Sequence, residues 1–114
     1  MLLIFLRNEE IIAMDANTID FKKINSIVCR TLHVSEEELY CKNKKSKSAT
    51  NAFCHILYYL HVEKNVPISA LAKEYKRSKR LIFYHISRHK DFMRIYFTTR
   101  TEYNMVYCEL ETNA

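Results

Sequence analysis

Residues 68–90 read ISALAKEYKRSKRLIFYHISRHK and predict two short helices joined by a tight polar turn. The first helix, residues 68–75, has apolar side chains at i, i+3, i+4 and i+7, which puts them on one stripe: Ile68, Leu71, Ala72 and Tyr75. The turn is Lys76-Arg77-Ser78. We expect Ser78 to cap the second helix, because its hydroxyl can accept a backbone N–H from the first turn.

The second helix carries two different faces. Ile82, Phe83 and Ile86 share one face, which we expect to pack on the core. At about 100° per residue, the opposite face holds basic, aromatic and polar side chains: Arg80, Tyr84, Ser87 and Arg88. Such a helix is suited to enter a DNA major groove, so the pattern predicts a helix-turn-helix. The structural alternative is an ordinary helical hairpin with a solvated basic face.

The composition favours one all-helical domain. A chain of 114 residues is long enough for a single modest core, and its 48% hydrophobic content is typical of a folded protein. Glycine is absent and Pro67 is the one proline. Because sheets and hairpins use glycine in their turns, we expect an all-α fold, a compact domain of about six helices that contains the helix-turn-helix.

Positive charge is concentrated in the middle of the chain. Residues 40–90 hold twelve Lys or Arg against two acids, whereas the flanking residues hold six bases and eleven acids. A local excess of this size suits a polyanion, most simply nucleic acid, because binding releases the counterions condensed on it.

The cysteine and histidine spacings give no sign of a metal site or a catalytic centre. There is no C-x-x-C pair among Cys29, Cys41, Cys54 and Cys108, and none has ligand spacing with the five histidines. We expect Cys29 and Cys54 to act as small core hydrophobes and the protein to be cytoplasmic. We expect no enzyme, because His85 and His89 have no carboxylate or nucleophile placed near them. Without a phosphate loop, no nucleotide or other cofactor is expected.

The remaining segments divide into a tail and further helices. We expect residues 1–16 to be an N-terminal tail, with Met14 a plausible alternative start. Its apolar MLLIFL is too short to span a membrane and lacks the features of a signal peptide, so no membrane association is expected. Residues 17–114 then form the helix-turn-helix DNA-binding domain with its C-terminal helix.

The periodicity predicts helices over residues 18–33, 46–62 and 91–110. Ser35 and Glu38 are spaced as a capping box, which opens a short helix. A basic loop follows, which holds the lysines of residues 42–47. In the last helix we expect the inward side chains to be Phe92, Ile95, Tyr96, Tyr103, Val106, Tyr107 and Leu110. Residues 95–99 are rich in β-formers, so a partial strand is the alternative; we favour helix.

Several motifs in this order match one family. They are Val34-Ser35-Glu36-Glu37-Glu38-Leu39 followed by the basic loop, Tyr59-Leu60 at the end of the long helix, Leu71-Ala72, Tyr75 and His85. With this pattern, residues 28–110 resemble the C-terminal DNA-binding domain of the bacterial chromosomal replication initiator DnaA. The resemblance implies a double-stranded DNA partner and a role in replication or transcription, with a homodimer or a replication protein as a further partner.

The chain also departs from that family. Lys79-Arg80-Leu81 stands where family members read bases with Asp-His-Ser/Thr, and Lys76-Arg77 stands in place of the paired glycines of the turn. The loss of the base-reading triplet favours an alternative function. In this alternative, the chain is a protein-interaction module or decoy that keeps the initiator fold and binds a partner through its aromatic C-terminal helix.

We expect the recognition helix, residues 78–89, to lie in the major groove. Lys79 and Arg80 are placed to reach base edges, and guanine is the favoured target of a bidentate Arg. Tyr84 is expected at a sugar or a thymine methyl group, with partial burial against the last helix as the alternative. The predicted DNA-binding set is Lys42, Lys44, Lys45, Lys47, Lys76, Arg77, Ser78, Lys79, Arg80, Tyr84, His85 and Arg88.

Overall fold

Six α-helices make up most of residues 19–41 and 46–113, the parts of the chain that the computed structural model describes. They are α1 (Phe21–Leu32), α2 (Glu36–Leu39), α3 (Lys47–Tyr58), α4 (Ile68–Tyr75), α5 (Lys79–Ile95) and α6 (Phe97–Asn113). Within these ranges there is no strand, so the predicted all-α fold is confirmed. The predicted tail and most of the predicted basic loop, residues 42–45, lie outside them.

The core forms where the apolar stripes of the helices meet. α1 packs against α3 and α6, while α5 packs against α3, α4 and α6. The largest fully buried side chains include Phe53, Ile56, Leu57, Tyr59 and Tyr75. Full burial of one such apolar side chain is worth about 1.5–3 kcal/mol relative to exposure.

The end of α3 changes to π-helical geometry over Tyr59–Glu63. There the Lys64 N–H donates to the Tyr59 carbonyl, five residues back, at 3.2 Å. The wider turn keeps Tyr59 and Leu60 in the core. The predicted long helix is therefore present, with a different last turn.

The helix-turn-helix forms as the sequence predicts. α4 has the predicted bounds, and Leu71 and Tyr75 of its apolar stripe are fully buried. Ser78 caps α5, since its hydroxyl accepts the Leu81 N–H at 3.1 Å. Lys76 ends α4 in the left-handed region, with φ of 54°. A glycine would hold this conformation without the roughly 1–2 kcal/mol that a Cβ costs there.

The prediction that Phe83 packs inward is wrong. Ile82 and Ile86 are buried as expected, but the Phe83 side chain is 60% exposed. His89, which is 4% exposed, completes the buried arc of α5 on the side of Ile82 that faces away from Phe83. Phe83 is about 100° around the helix from Ile82, away from that arc.

The predicted capping box at Ser35 is also wrong. Ser35 precedes α2 in an extended conformation, but its side chain makes no capping hydrogen bond. Glu38 instead accepts a hydrogen bond from the Ser46 hydroxyl at 2.8 Å. The same hydroxyl accepts the Ala49 N–H at 3.1 Å, so Glu38 orients the cap of α3.

The predicted last helix is split. α5 continues through residues 91–95, and Tyr96 then turns the chain with φ of −106° and ψ of 119° before α6 begins. Arg100 stabilises this break, because its guanidinium donates to the carbonyls of Met93 and Arg94 at 2.9 and 3.0 Å. As a result Ile95 and Tyr96 are 60% and 50% exposed, against the inward placement expected for them.

Candidate nucleic-acid interface

The outward face of α5 presents the side chains that the sequence assigns to DNA. Lys79 and Arg80 are exposed in the first turn of the helix, directly after the Ser78 cap. One turn further on, Tyr84 is 53% exposed. The capped start of α5 therefore exposes two cations, and an aromatic ring is exposed one turn further on. Side chains in this arrangement can reach base edges in a major groove.

The charge on α5 is strongly one-sided. The helix holds five basic residues and one acid, Asp91. That acid forms an exposed ion pair with Arg94 at 3.5 Å. The guanidinium of Arg88 lies over the Phe92 ring, 4.9 Å from its centroid, which restrains a long side chain and leaves its charge at the surface. A positive helix surface with a held guanidinium suits phosphate oxygens.

Arg77 fastens the turn to the start of the basic loop. Its guanidinium donates to the Cys41 carbonyl at 2.9 Å and to the carbonyls of Tyr75 and Lys76 at 3.1 and 3.3 Å. These bonds satisfy carbonyls at the end of α4, which a helix leaves without partners. Arg77 thus holds the backbone of the turn, a role beyond the DNA contact that we predicted for it.

Both ends of the basic loop are attached to other elements. Arg77 holds Cys41 at one end, and Glu38 holds the Ser46 hydroxyl at the other. Lys42, Lys44 and Lys45 lie between these points, outside the described residues. Lys47, the next lysine of the predicted set, is exposed at the first position of α3. Lys76 is exposed in the turn.

His85 lies at the edge of this surface, half-buried between α5 and α3. Its Nδ1 is 3.7 Å from the Cys54 thiol, and its ring packs edge-on against Phe53 with centroids 5.6 Å apart. Local sequence gives no sign of this contact, because Cys54 and His85 are 31 positions apart. The contact fixes the imidazole against α3, so any phosphate contact by His85 is limited to its exposed edge.

A buried histidine pair lies further along the same two helices. His55 Nε2 is 2.8 Å from Glu102 Oε1, and His55 Nδ1 is 2.8 Å from His89 Nε2. His55 is 1% exposed, so its imidazole is buried. Burial, with a smaller contribution from His55, lowers the pKa of His89 from 6.5 to about 3. The hydrogen bond from His55 lowers the pKa of Glu102.

This pair borders a cavity of about 260 Å³ between α3, α5 and α6. Cys54, His55, His89 and Glu102 contribute to its wall. A general acid or base has to meet its substrate within hydrogen-bond reach. The remaining ring nitrogen of His89, Nδ1, is buried and has no hydrogen-bond partner among the described residues. His55, His89 and Glu102 come from α3, α5 and α6, so their contacts join these three helices.

Three further observations concern other classes of site. Among the described helices, none is long and apolar enough to cross a membrane. In residues 19–41 and 46–113, no three His, Cys, Asp or Glu side chains come together to hold a metal ion. Burial raises the pKa of the Cys29 thiol to about 11, in keeping with its predicted place in the core.

Comparison of the chain with protein-family models, with curated proteins and with solved structures found no match. The resemblance to the initiator domain therefore stays a prediction from the motifs. What the structure establishes is the class: an all-α domain in which a capped helix presents a basic and aromatic face.

Proposed function

We propose that this chain binds double-stranded DNA, with α5 in the major groove and the basic loop on phosphates or in the minor groove. The observation that carries the proposal is that Arg80 and Tyr84 are exposed on the side of α5 opposite to its buried face, with Lys79 exposed beside Arg80 in the first turn. The excess of basic residues in the middle of the chain supports it. The bond from Arg77 to the Cys41 carbonyl supports it further, because it ties the loop to the turn.

The proposed contacts fall into two groups. Lys79 and Arg80 read base edges, where a well-formed bidentate Arg contact is worth about 1–3 kcal/mol of discrimination. Phosphates are bound by the cations around them: Lys42, Lys44, Lys45, Lys47, Lys76 and Arg88. In this proposal the protein is a cytoplasmic regulator of replication or transcription that acts as a homodimer or with a replication protein.

The test is a titration of a fluorescent DNA duplex at two salt concentrations. With about six phosphate contacts, the affinity should fall by roughly 10³-fold between about 50 and 200 mM salt. Replacement of Lys44 and Lys45 by Ala should weaken binding to all duplexes alike. It should also flatten the plot of log affinity against log salt by about two units. Binding that ignores salt would contradict the proposal.

A charge-matched control is available on α1. Lys22 and Lys23 are exposed and lie outside the central basic segment. Replacing both with Ala removes the same charge as the loop variant and should leave affinity and salt dependence nearly unchanged. If the two double variants behave alike, the affinity for DNA depends on the net charge of the protein alone.

The base-reading role of Arg80 has its own test. Duplexes that bind well are first selected from a random pool, and Arg80→Ala is then compared on selected and random DNA. We expect a loss of about 1–3 kcal/mol on the selected duplex and much less on random DNA. The helix should persist, since Ala has the higher helix propensity. Equal losses would make Arg80 a phosphate contact.

A second candidate function is the protein-interaction module or decoy. The observation that favours it is a group of exposed apolar side chains at the bend between α5 and α6. Ile95, Tyr96 and Phe97 are 60%, 50% and 72% exposed, and Met105 of α6 is 49% exposed. This candidate predicts that DNA affinity stays weak at all salt concentrations and that Phe97→Ala abolishes capture of a protein partner.

A further inference from the structure

The exposed ring of Phe83 lies on the helix face that is proposed to read DNA. Arg80, Phe83, Tyr84 and Ser87 are spaced at i, i+3, i+4 and i+7, so they share an arc of about 100°. Phe83 and Tyr84 are 60% and 53% exposed at the centre of this stripe. The outward face of α5 is thus apolar at its centre and basic at its start.

Two exposed aromatic rings on one helix face are costly to leave in water. A large apolar side chain forgoes much of the roughly 1.5–3 kcal/mol that burial would supply. An ordinary solvated helix face carries polar side chains at such positions. The exposed neighbours of these rings on α5 include three cations, Lys79, Arg80 and Arg88, so an occupant of this surface has to be both anionic and apolar in part.

Duplex DNA offers that combination at one group in the major groove. The C5 methyl group of thymine is the apolar group that base pairs present there, and it sits between two phosphate backbones. We propose that Phe83, with Tyr84 beside it, contacts thymine methyl groups and makes the domain prefer thymine at those positions. This inference rests on the proposed DNA binding and assigns a specificity-determining residue to that surface.

The expected size of the effect follows from methyl transfer. Removing one buried methyl group from contact should weaken binding by about fourfold. Deoxyuridine pairs as thymine does but lacks the methyl group, so it removes this contact and leaves the base-pair hydrogen bonds in place.

The test uses the full chain and a duplex selected from a random pool, with each thymine replaced in turn by deoxyuridine. In the wild-type protein, one or more substitutions should weaken binding by about fourfold. In Phe83→Ala, the same substitutions should have no further effect, because the side chain that met the methyl group is gone. Phe97→Ala is the matched control, since Phe97 is 72% exposed but lies on α6. It should keep the wild-type response to deoxyuridine.

The outcomes separate this inference from the proposed function. Salt-dependent DNA binding without any deoxyuridine effect overturns the thymine contact and leaves DNA binding standing. A deoxyuridine effect that persists in Phe83→Ala overturns the role of Phe83. Absence of DNA binding in every buffer overturns both, and the exposed rings then belong to a protein contact. Thermal melting of each variant confirms that the fold is intact.

Discussion

Two buried polar networks flank α3, and they are built differently. In the first, the Tyr75 hydroxyl donates to Asn25 Oδ1 at 2.7 Å, Asn25 Nδ2 donates to the Tyr40 hydroxyl at 2.9 Å, and that hydroxyl donates to Glu74 at 3.3 Å. In the second, Glu102, His55 and His89 are joined by two 2.8 Å contacts. Phe53 of α3 packs on Tyr75, while His55 belongs to the second network.

The difference lies in where each network ends. The first begins at Tyr75 in the core and runs outward to the Glu74 carboxylate at the surface. Its links are hydrogen bonds between neutral groups, except for the last one, from the Tyr40 hydroxyl to Glu74. The second begins at Glu102 and ends inside, where His89 Nδ1 has no partner among the described residues. Satisfied buried networks stabilise a fold, whereas a buried imidazole makes it sensitive to acid. The first network should therefore provide stability, and the second a dependence on pH.

The largest effect that we expect is the loss of stability in acid. The pKa of His89 is about 3 in the folded protein and 6.5 as its ordinary value, so below pH 6.5 the unfolded chain binds a proton that the folded chain does not. The free energy of unfolding should fall by up to about 1.4 kcal/mol per pH unit from this histidine, or by about 3 kcal/mol in all from pH 6.5 to pH 4. Urea unfolding at several pH values measures this slope.

Two variants identify the histidine responsible. His89→Phe removes the titrating ring, so the slope between pH 6.5 and 4.5 should flatten by one proton even if the variant is less stable throughout. His33→Asn is the control, because His33 is exposed and Asn tolerates its left-handed backbone with φ of 57°. It should keep the wild-type slope. A wild-type slope in His89→Phe would assign the acid sensitivity to other groups.

The next effect concerns the hydroxyl of Tyr75. Tyr75→Phe keeps the ring that packs against Phe21, Tyr40 and Phe53. It leaves the Asn25 oxygen, in a side chain that is 1% exposed, without its donor. We expect a loss of about 1–3 kcal/mol in the free energy of unfolding. Chemical denaturation at pH 7 measures it, and a loss below about 0.5 kcal/mol would show that Asn25 finds another donor.

The sequence predicts one member of the first network, the inward-facing Tyr75, but the pairings of neither network, since Tyr75 and Asn25 are 50 positions apart. The heptad-like spacing of α4 places Tyr75 inward, and a short polar segment before α5 identifies Ser78 as its cap, because both signals are local. His55 and Glu102 are 47 positions apart, so nothing in either neighbourhood shows that they pair. The inward placement predicted for Phe83 is wrong for a related reason. Periodicity gives the centre of a buried arc, but the neighbouring helices decide how far it extends.

The same limit applies to the candidate interface. Arg80 and Tyr84 were found because they oppose Ile82 and Ile86 on one helix, and Lys79 because it lies in the first turn beside Arg80. The bond from Arg77 to the Cys41 carbonyl joins residues that are 36 positions apart. It therefore depends on where the chain lies after the end of α2. The Cys54 contact of His85 likewise depends on how α3 and α5 cross. Local patterns thus supply the side chains of a site, and tertiary packing decides which of them are fixed.

The smallest effect is the most direct test of the contrast between the networks. Tyr103 is 4% exposed and packs among His55, Tyr58 and His89, and its hydroxyl is buried without a hydrogen-bond partner in the described residues. Burial raises the pKa of this phenol well above its ordinary value. A buried hydroxyl without a partner costs free energy that a phenyl ring does not. Tyr103→Phe should therefore leave the free energy of unfolding unchanged or raise it by up to about 1 kcal/mol.

Paired with Tyr75→Phe, this variant removes the same atom from a ring that packs on the second network, so the two free energies can be compared without any correction for ring packing. Opposite signs are expected, with Tyr75→Phe less stable and Tyr103→Phe as stable as the wild type or more so. A loss above about 1 kcal/mol in Tyr103→Phe would mean that its hydroxyl is hydrogen-bonded in solution, most simply to a buried water. The Tyr103 hydroxyl would then be satisfied as the Tyr75 hydroxyl is, and His89 Nδ1 would remain the buried atom without a partner among the described residues.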